Sequence, residues 1–170
     1  MIRLKNFIND KNGAGAIEQT IILFIFVILF CFVYDIILVA YRQFAISEAS
    51  NKVVRLIAVQ GGVTRTVPKG YQDEAGVTYK HADDIVKSLE SYLLSLDSNL
   101  QHVYITNEKT GYTVDLCEDI ADIKVDYKQK FEMKIEYTYN WDLTGNVIPV
   151  AHDVQGIVER YSVGEFDYDI

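Results

Sequence analysis

An uninterrupted apolar stretch near the N-terminus constrains the fold more than any other feature of the sequence. The segment Ile21–Val33 carries no charged or strongly polar side chain, and the apolar run resumes at Ile36–Ala40 after Asp35. As a helix, Ala16–Ala40 would rise about 37 Å, which is enough to cross a hydrocarbon core of about 30 Å. No comparable stretch follows in the sequence, so we expect a single membrane crossing.

The residues before this stretch form a short basic leader. It carries Arg3, Lys5 and Lys11 against one acidic residue, Asp10. Because basic flanks stay on the cytoplasmic side, we expect a cytoplasmic N-terminus and an extracytoplasmic C-terminal domain. An ordinary secretory signal peptide fits less well, because the apolar run is too long and no small-residue cleavage site follows it closely.

Glu18 places a carboxylate at the start of the apolar run. Such a group costs about 2.5–3.5 kcal/mol at the centre of a membrane helix and less near its end, so it needs a partner. Cleavage between Gly13 and Ala14 would create an α-ammonium one helical turn away. Two parallel helices staggered by four residues, about 6 Å, would bring this ammonium beside the Glu18 of a neighbour. The alternative is a plain signal anchor, in which the helix dipole alone favours Glu18.

The segment Gly13-Ala14-Gly15-Ala16-Ile17-Glu18 resembles the cleavage motif of Tad-type (tight adherence, Flp) pilins, which carry a class III signal. In that family a prepilin peptidase cuts after the glycine and leaves glutamate at position five of the product. Gln19 stands where the family usually has an aromatic residue. Major Flp pilins are little more than the hydrophobic helix, whereas this chain continues for more than a hundred residues. It therefore resembles a minor pilin or pseudopilin of the TadE or TadF kind, over the first third of its length.

This resemblance implies a function in filament assembly. We expect a substrate of prepilin peptidase that assembles with other pilin subunits and with pilus assembly platform proteins. The product would lie in, or at the base or tip of, a Tad-like type IV pilus or secretion filament. The interpretation includes no catalytic residue and no cofactor. Two alternatives stay open: an uncleaved single-pass binding module with an extracytoplasmic domain, and a membrane-bound enzyme.

Asp35 is a second carboxylate within the apolar run. A four-residue stagger brings it level with Val39 of a neighbouring helix, and Arg42 lies less than one turn further. We therefore predict a second intersubunit pair between Asp35 and Arg42. The alternative is that Asp35 extends to the outer lipid headgroups.

The helix is expected to continue beyond the membrane. Tyr41–Gln60 contains no Gly or Pro, and Gly61-Gly62 predicts its end. Its apolar stripe follows helical spacing: Ala45, Ala49, Val53, Leu56 and Gln60, widened by Ile46, Val54 and Ile57. We expect a leader over 1–13, a transmembrane helix over 14–41 and an amphipathic extension over 42–62. The alternative, a separate juxtamembrane helix, needs a break near Arg42 that the sequence does not supply.

Residues 63–170 indicate an extracytoplasmic α+β domain. We predict a helix over Ile85–Leu96 capped by Asp83 or Asp84, a hairpin of His102–Thr106 and Tyr112–Leu116, a long strand over Ile123–Trp141, and a last strand over Gln155–Val163. The long strand alternates apolar and polar residues, and the lapse at Gln129 predicts a bend near Lys128. The predicted fold is pilin-like, with the amphipathic helix packed on an antiparallel sheet.

The sequence offers little arranged chemistry. The three histidines, His81, His102 and His152, are far apart, and none has a second ligand at metal spacing, so no metal site is predicted. No nucleophile elbow and no phosphate-binding glycine loop is present.

The acidic balance of the chain excludes some partners. The formal net charge is −8, and the basic leader makes the remainder more acidic still, which argues against nucleic acid as a ligand. For the acidic cluster Glu118, Asp119 and Asp122, a solvated surface is a simpler interpretation than a calcium site. Cys31 lies in the apolar run and Cys117 outside it, so we expect no disulfide framework.

Overall fold

The computed structural model describes residues 11–68, 71, 78–118, 122–143 and 154–166, with the side chains of 11–14 excluded. The chain divides into two compact units. The first, here the helix unit, comprises residues 1–39 and 141–151, and the second, here the sheet unit, comprises residues 40–140 and 152–170.

A single α-helix, α1, runs over Lys11–Gln60. It passes through Arg42 without a break, which confirms the prediction of one continuous helix. Its most apolar 18-residue window has a mean hydropathy of 3.1, and only 6% of that window is buried. Among the described residues, α1 is the one helix long and apolar enough to cross a membrane.

The end of α1 follows the predicted glycine signal. Gly61 and Gly62 have φ angles of +76° and +111°, a region that side chains with a Cβ rarely adopt. Gln60, fully buried, donates from Nε2 to the carbonyls of Gly62 (2.8 Å) and Lys80 (3.0 Å) and accepts the Lys80 N–H at 3.2 Å. These bonds satisfy a buried amide that would otherwise destabilise the core.

The remaining described elements form an α+β arrangement. They are β1 (Gly62–Val63), α2 (Ala82–Leu94), β2 (Ser98–Asn107), β3 (Tyr112–Asp115), β4 (Ile123–Lys124), β5 (Lys130–Tyr139) and β6 (Val154–Val163). An antiparallel four-stranded sheet has the order β3-β2-β5-β6, and β1 pairs with β4 in a separate two-stranded ladder. The predicted α+β class is confirmed at this level.

The predicted long strand is divided where its alternation lapses. Lys128 has a φ of +61°, and the chain turns between β4 and β5, which confirms the bend near Lys128-Gln129. Within β5 the odd positions Phe131, Met133 and Ile135 are fully buried. The strand ends at Tyr139 rather than at Trp141, which belongs to the helix unit.

The predicted cap of α2 was wrong. The helix begins at Ala82, and His81 occupies the N-cap position. The Asp84 carboxylate accepts the His81 N–H at 3.4 Å, so it acts from the first turn rather than as the cap itself. Ile85 and Leu89 lie on the buried face of this helix.

The core of the sheet unit lies between the sheet, α2 and the C-terminal part of α1. Ile46, Ile57 and Ala58 of α1 are fully buried in one cluster with Phe131 and Ile135 of β5. Ala49, Val53 and Leu56, which were predicted to form the centre of the apolar stripe, only border this cluster. The buried face is instead centred on Ile46 and Ile57, which were predicted to lie at the side of the stripe. The prediction that the amphipathic part of α1 packs on the antiparallel sheet is confirmed. Each large aliphatic side chain buried this way contributes about 1.5–3 kcal/mol.

Tyr137 gives this core a measurable response to alkaline pH. Burial, with a smaller effect of Tyr139, raises the pKa of Tyr137 to about 12, whereas a tyrosine in an unfolded chain ionises near 10. The buried, neutral Tyr137 therefore stabilises the folded state fully below pH ~10, and this stabilisation is lost as the pH rises towards 12. We expect Tyr137→Phe to flatten the fall of melting temperature between these values, as measured by circular dichroism.

The matched control is Tyr112→Phe, because the Tyr112 side chain is 50% exposed. This variant should keep the alkaline slope of the wild type. A Tyr137→Phe slope equal to that of wild type would contradict the prediction. Tyr137 also donates a hydrogen bond to Gln43, so Tyr137→Phe should be somewhat less stable than wild type at neutral pH.

Candidate functional site

The residues predicted for processing and assembly lie on α1. Gly13 and Ala14 are part of the helix, and their side chains are outside the described set. Glu18 is exposed, and the apolar residues that follow it, from Ile21 to Phe26, are also exposed. Within the described part of the chain, no basic side chain forms an ion pair with Glu18. The structure thus presents this carboxylate on an uncovered apolar helix.

Asp35 is covered by a segment that returns to the helix. Its side chain is 1% exposed, and Oδ1 accepts the Leu143 N–H at 3.1 Å. Phe32, one turn earlier, stacks on Trp141 with ring centroids 5.7 Å apart. The alternative in which Asp35 extends to lipid headgroups required an exposed carboxylate, whereas the chain itself covers it.

Arg42 is also buried, with an exposed fraction of 6%. Its Nη1 donates to the Asn140 carbonyl at 3.1 Å, and its guanidinium carbon lies 5.9 Å from the centre of the Tyr139 ring. The Asp97 carboxylate is 3.9 Å from Nη2. The intersubunit pair of Asp35 with Arg42 stays a prediction, and it would require Arg42 to leave contacts that it makes within one chain.

A group of metal-ligating side chains lies in the sheet unit at the edge of the four-stranded sheet. His102 of β2 and Asp115, the last residue of β3, face each other with Nδ1 and Oδ2 2.6 Å apart. Glu118 follows in the next turn, and the ligand atoms of all three residues lie within 4.8 Å of one another. Among the described residues, no other group of three such side chains is this compact.

The backbone fixes the orientation of Asp115. Its Oδ1 accepts the N–H groups of Val103 at 3.3 Å and Cys117 at 2.9 Å, as aspartates do at the start of a turn. Oδ2 is thereby directed at His102. The hydrogen bond to Asp115, with further contributions from the charges of Glu118 and Glu136, raises the pKa of His102.

The sequence spacing did not reveal this group. His102 and Asp115 come together because β2 and β3 pair in the register Tyr104↔Asp115, and Glu118 follows from the turn. The predicted hairpin contained this information, since pairing His102–Thr106 with Tyr112–Leu116 brings the first residue of one strand near the last of the other. Of the predicted acidic cluster, Glu118 belongs to this group and Asp122 accepts the Arg65 N–H at 2.7 Å, while Asp119 lies outside the described residues.

Comparison with known proteins gives no relative from which a function can be transferred. No protein-family profile, curated protein or solved structure matches the chain. The function is therefore inferred from the residues and the geometry described above.

Proposed function

We propose that this protein is a minor pilin or pseudopilin, anchored in the membrane by α1 and processed by a prepilin peptidase between Gly13 and Ala14. It assembles through α1 with other pilin subunits, into or at the base or tip of a Tad-like type IV pilus or secretion filament. The observation that carries this proposal is the uncovered apolar surface of α1, which begins beside Glu18, a carboxylate with no ion pair to any described residue.

The apolar surface is longer than a membrane requires. Exposed apolar side chains extend from Ile17 to Phe44, a rise of about 40 Å, against a hydrocarbon core of about 30 Å. To fit this whole length within the hydrocarbon core, the helix would have to tilt by about 40°, which is the upper end of the range for membrane helices. Tyr41 and Phe44 are still 61% and 71% exposed. Packing against parallel helices of other subunits would cover this excess, and this supports assembly through α1.

Glu18 gives such packing a register. With the basic leader cytoplasmic, the cut at Gly13 leaves an ammonium on Ala14 near the inner membrane surface. A neighbouring helix shifted by four residues places this ammonium beside Glu18, so each charge neutralises the other. Asp35 needs no such neighbour, since Leu143 already donates to it. The register therefore depends mainly on the contact at Glu18.

The proposal is tested by the mature N-terminus. Mass spectrometry of the chain from membranes should show a polypeptide that begins at Ala14, with or without N-methylation. In cells that lack the prepilin peptidase, the same chain should begin at Met1. A chain that begins at Met1 in both strains, or one cut near Glu48, would contradict processing of this kind.

A second candidate function rests on a cavity in the sheet unit. A space of about 350 Å³ lies beside the N-terminus of α2. Its lining includes Arg65, Lys87 and Asp122, charged groups of both signs. This favours the alternative of an uncleaved single-pass binding module whose outer domain recognises a small polar ligand. An intact Met1 together with saturable ligand binding would support this alternative instead.

A further inference from the structure

We propose that His102, Asp115 and Glu118 form a binding site for a divalent transition-metal ion, and that Zn²⁺ is the ion its ligands fit best. The site lies on β2, β3 and the turn after β3, in the sheet unit. It does not depend on the proposed assembly function, because none of its residues belongs to α1.

The spacing of the donor atoms suits one shared ion. In a tetrahedral site zinc lies about 2.0–2.2 Å from imidazole nitrogen and carboxylate oxygen, so its ligand atoms are about 3.3–3.6 Å apart. The donors of the three side chains lie within 4.8 Å of one another. Nδ1 of His102 and Oδ2 of Asp115 would separate slightly from their present 2.6 Å. The exposed side chain of Glu118 would approach the other two to complete the site.

Two of the three ligands are held in place before any ion arrives. The hydrogen bonds from Val103 and Cys117 fix one oxygen of Asp115, and the other, now bonded to His102, can turn to the ion. The His102 ring stacks on Tyr104 with centroids 5.4 Å apart, which restricts its rotation. Ligands held in this way lose little conformational freedom on binding, and this favours affinity.

Solvent access and charge also suit a cation. The side chains of His102 and Asp115 are 32% and 10% exposed, and Glu118 is exposed, so an ion can enter from water. The carboxylates of Asp115 and Glu118 lie beside His102, and their negative charge would stabilise a bound cation. Glu136 contributes less, because Lys134 pairs with it at 2.7 Å.

The ligand set decides between classes of ion. Carboxylate oxygen alone suits Ca²⁺ and Mg²⁺, whereas an imidazole favours zinc and its neighbours in the transition series. Three protein ligands leave a fourth tetrahedral position for water or for a donor group of another molecule.

A bound ion would join the edge strand β3 to β2 and to the turn at Glu118. Because the unfolded chain lacks this arrangement, binding would stabilise the folded protein.

Zinc titration of the full chain tests the proposal. The chain is purified in detergent without a polyhistidine tag, and ZnCl₂ binding is measured by calorimetry. We expect one ion per chain. Removing a partner that merely orients a ligand costs about 10–100-fold in affinity, so His102→Gln and Glu118→Gln, which each remove a ligand, should lower affinity at least tenfold. His81→Gln is the matched control, because the His81 Nδ1 contacts the Thr64 carbonyl oxygen at 2.9 Å, outside the site.

Thermal melting separates loss of the ligand from loss of the fold. With a chelator present, Glu118→Gln should melt like wild type, since Glu118 is exposed. Added zinc should raise the melting temperature of wild type and of His81→Gln more than that of Glu118→Gln. Zinc affinity unchanged by both His102→Gln and Glu118→Gln would overturn the proposal. So would the absence of zinc binding at about 1 mM, or calcium binding that is tighter than zinc binding.

Discussion

Replacing Gly62 by alanine should destabilise the sheet unit by about 3–5 kcal/mol. Gly62 has a φ of +111°, and a Cβ at this position would lie 2.1 Å from the Ile123 carbonyl oxygen and 3.0 Å from the Lys124 Cα. Both obstacles are backbone atoms, so no side-chain rotation relieves the clash. The β1–β4 pairing, Gly62↔Lys124 and Val63↔Ile123, must separate, and the buried Val63 and Ile123 lose their packing with it. Denaturation of the full chain, followed by circular dichroism, measures the effect.

Gly111→Ala is the control that isolates the clash. Gly111 also has a positive φ, +66°, but a Cβ there meets no atom within 4 Å. It should therefore cost only the conformational term, about 1–2 kcal/mol. Equal losses for Gly62→Ala and Gly111→Ala would show that the β1–β4 contact does not limit stability. The difference between the two losses matters because the pairing of β1 with β4 is continued by a hydrogen bond next to the end of α1, from the Val125 N–H to the Gly61 carbonyl at 3.0 Å.

The elements that could be predicted from the sequence are those in which apolar residues recur at a regular spacing within one segment. The alternation of Phe131, Met133 and Ile135 gives the buried face of β5, and its lapse at Gln129 gives the turn before it. The helical stripe on α1 likewise predicts the cover for that face, although the centre of the stripe is shifted towards Ile46 and Ile57. In each case one stretch of chain carries the whole signal.

Contacts between distant segments were not predictable in the same way. The sequence shows Asp35 in an apolar run, so a headgroup or a neighbouring subunit was the natural partner. The structure shows that Asp35 also accepts the Leu143 N–H, because residues far along the chain return to the helix. The group of His102, Asp115 and Glu118 depends in turn on the register of β2 with β3, and a shift of one residue would turn side chains to the opposite face.

Glu18→Gln should leave processing intact and greatly reduce assembly. The amide keeps the size of the side chain but cannot neutralise the ammonium on Ala14 of the adjacent subunit. Removing one partner of a poorly solvated ion pair costs about 3–5 kcal/mol, which corresponds to a loss of more than about 100-fold in association. The measurement is the fraction of the chain recovered in sheared filaments or cross-linked to other pilins, with the mature N-terminus read by mass spectrometry in the same sample.

Glu48→Gln is the matched control for this experiment. Glu48 also lies on α1, but in the sheet unit, where it pairs with Lys52 at 2.9 Å across one exposed turn. An exposed pair of this kind contributes less than about 1 kcal/mol, so Glu48→Gln should assemble like wild type. If Glu18→Gln were cleaved at Gly13 and incorporated like Glu48→Gln, the carboxylate would not set the register of the helices. The uncovered apolar surface from Ile17 to Phe44 would then have to determine it by side-chain packing alone.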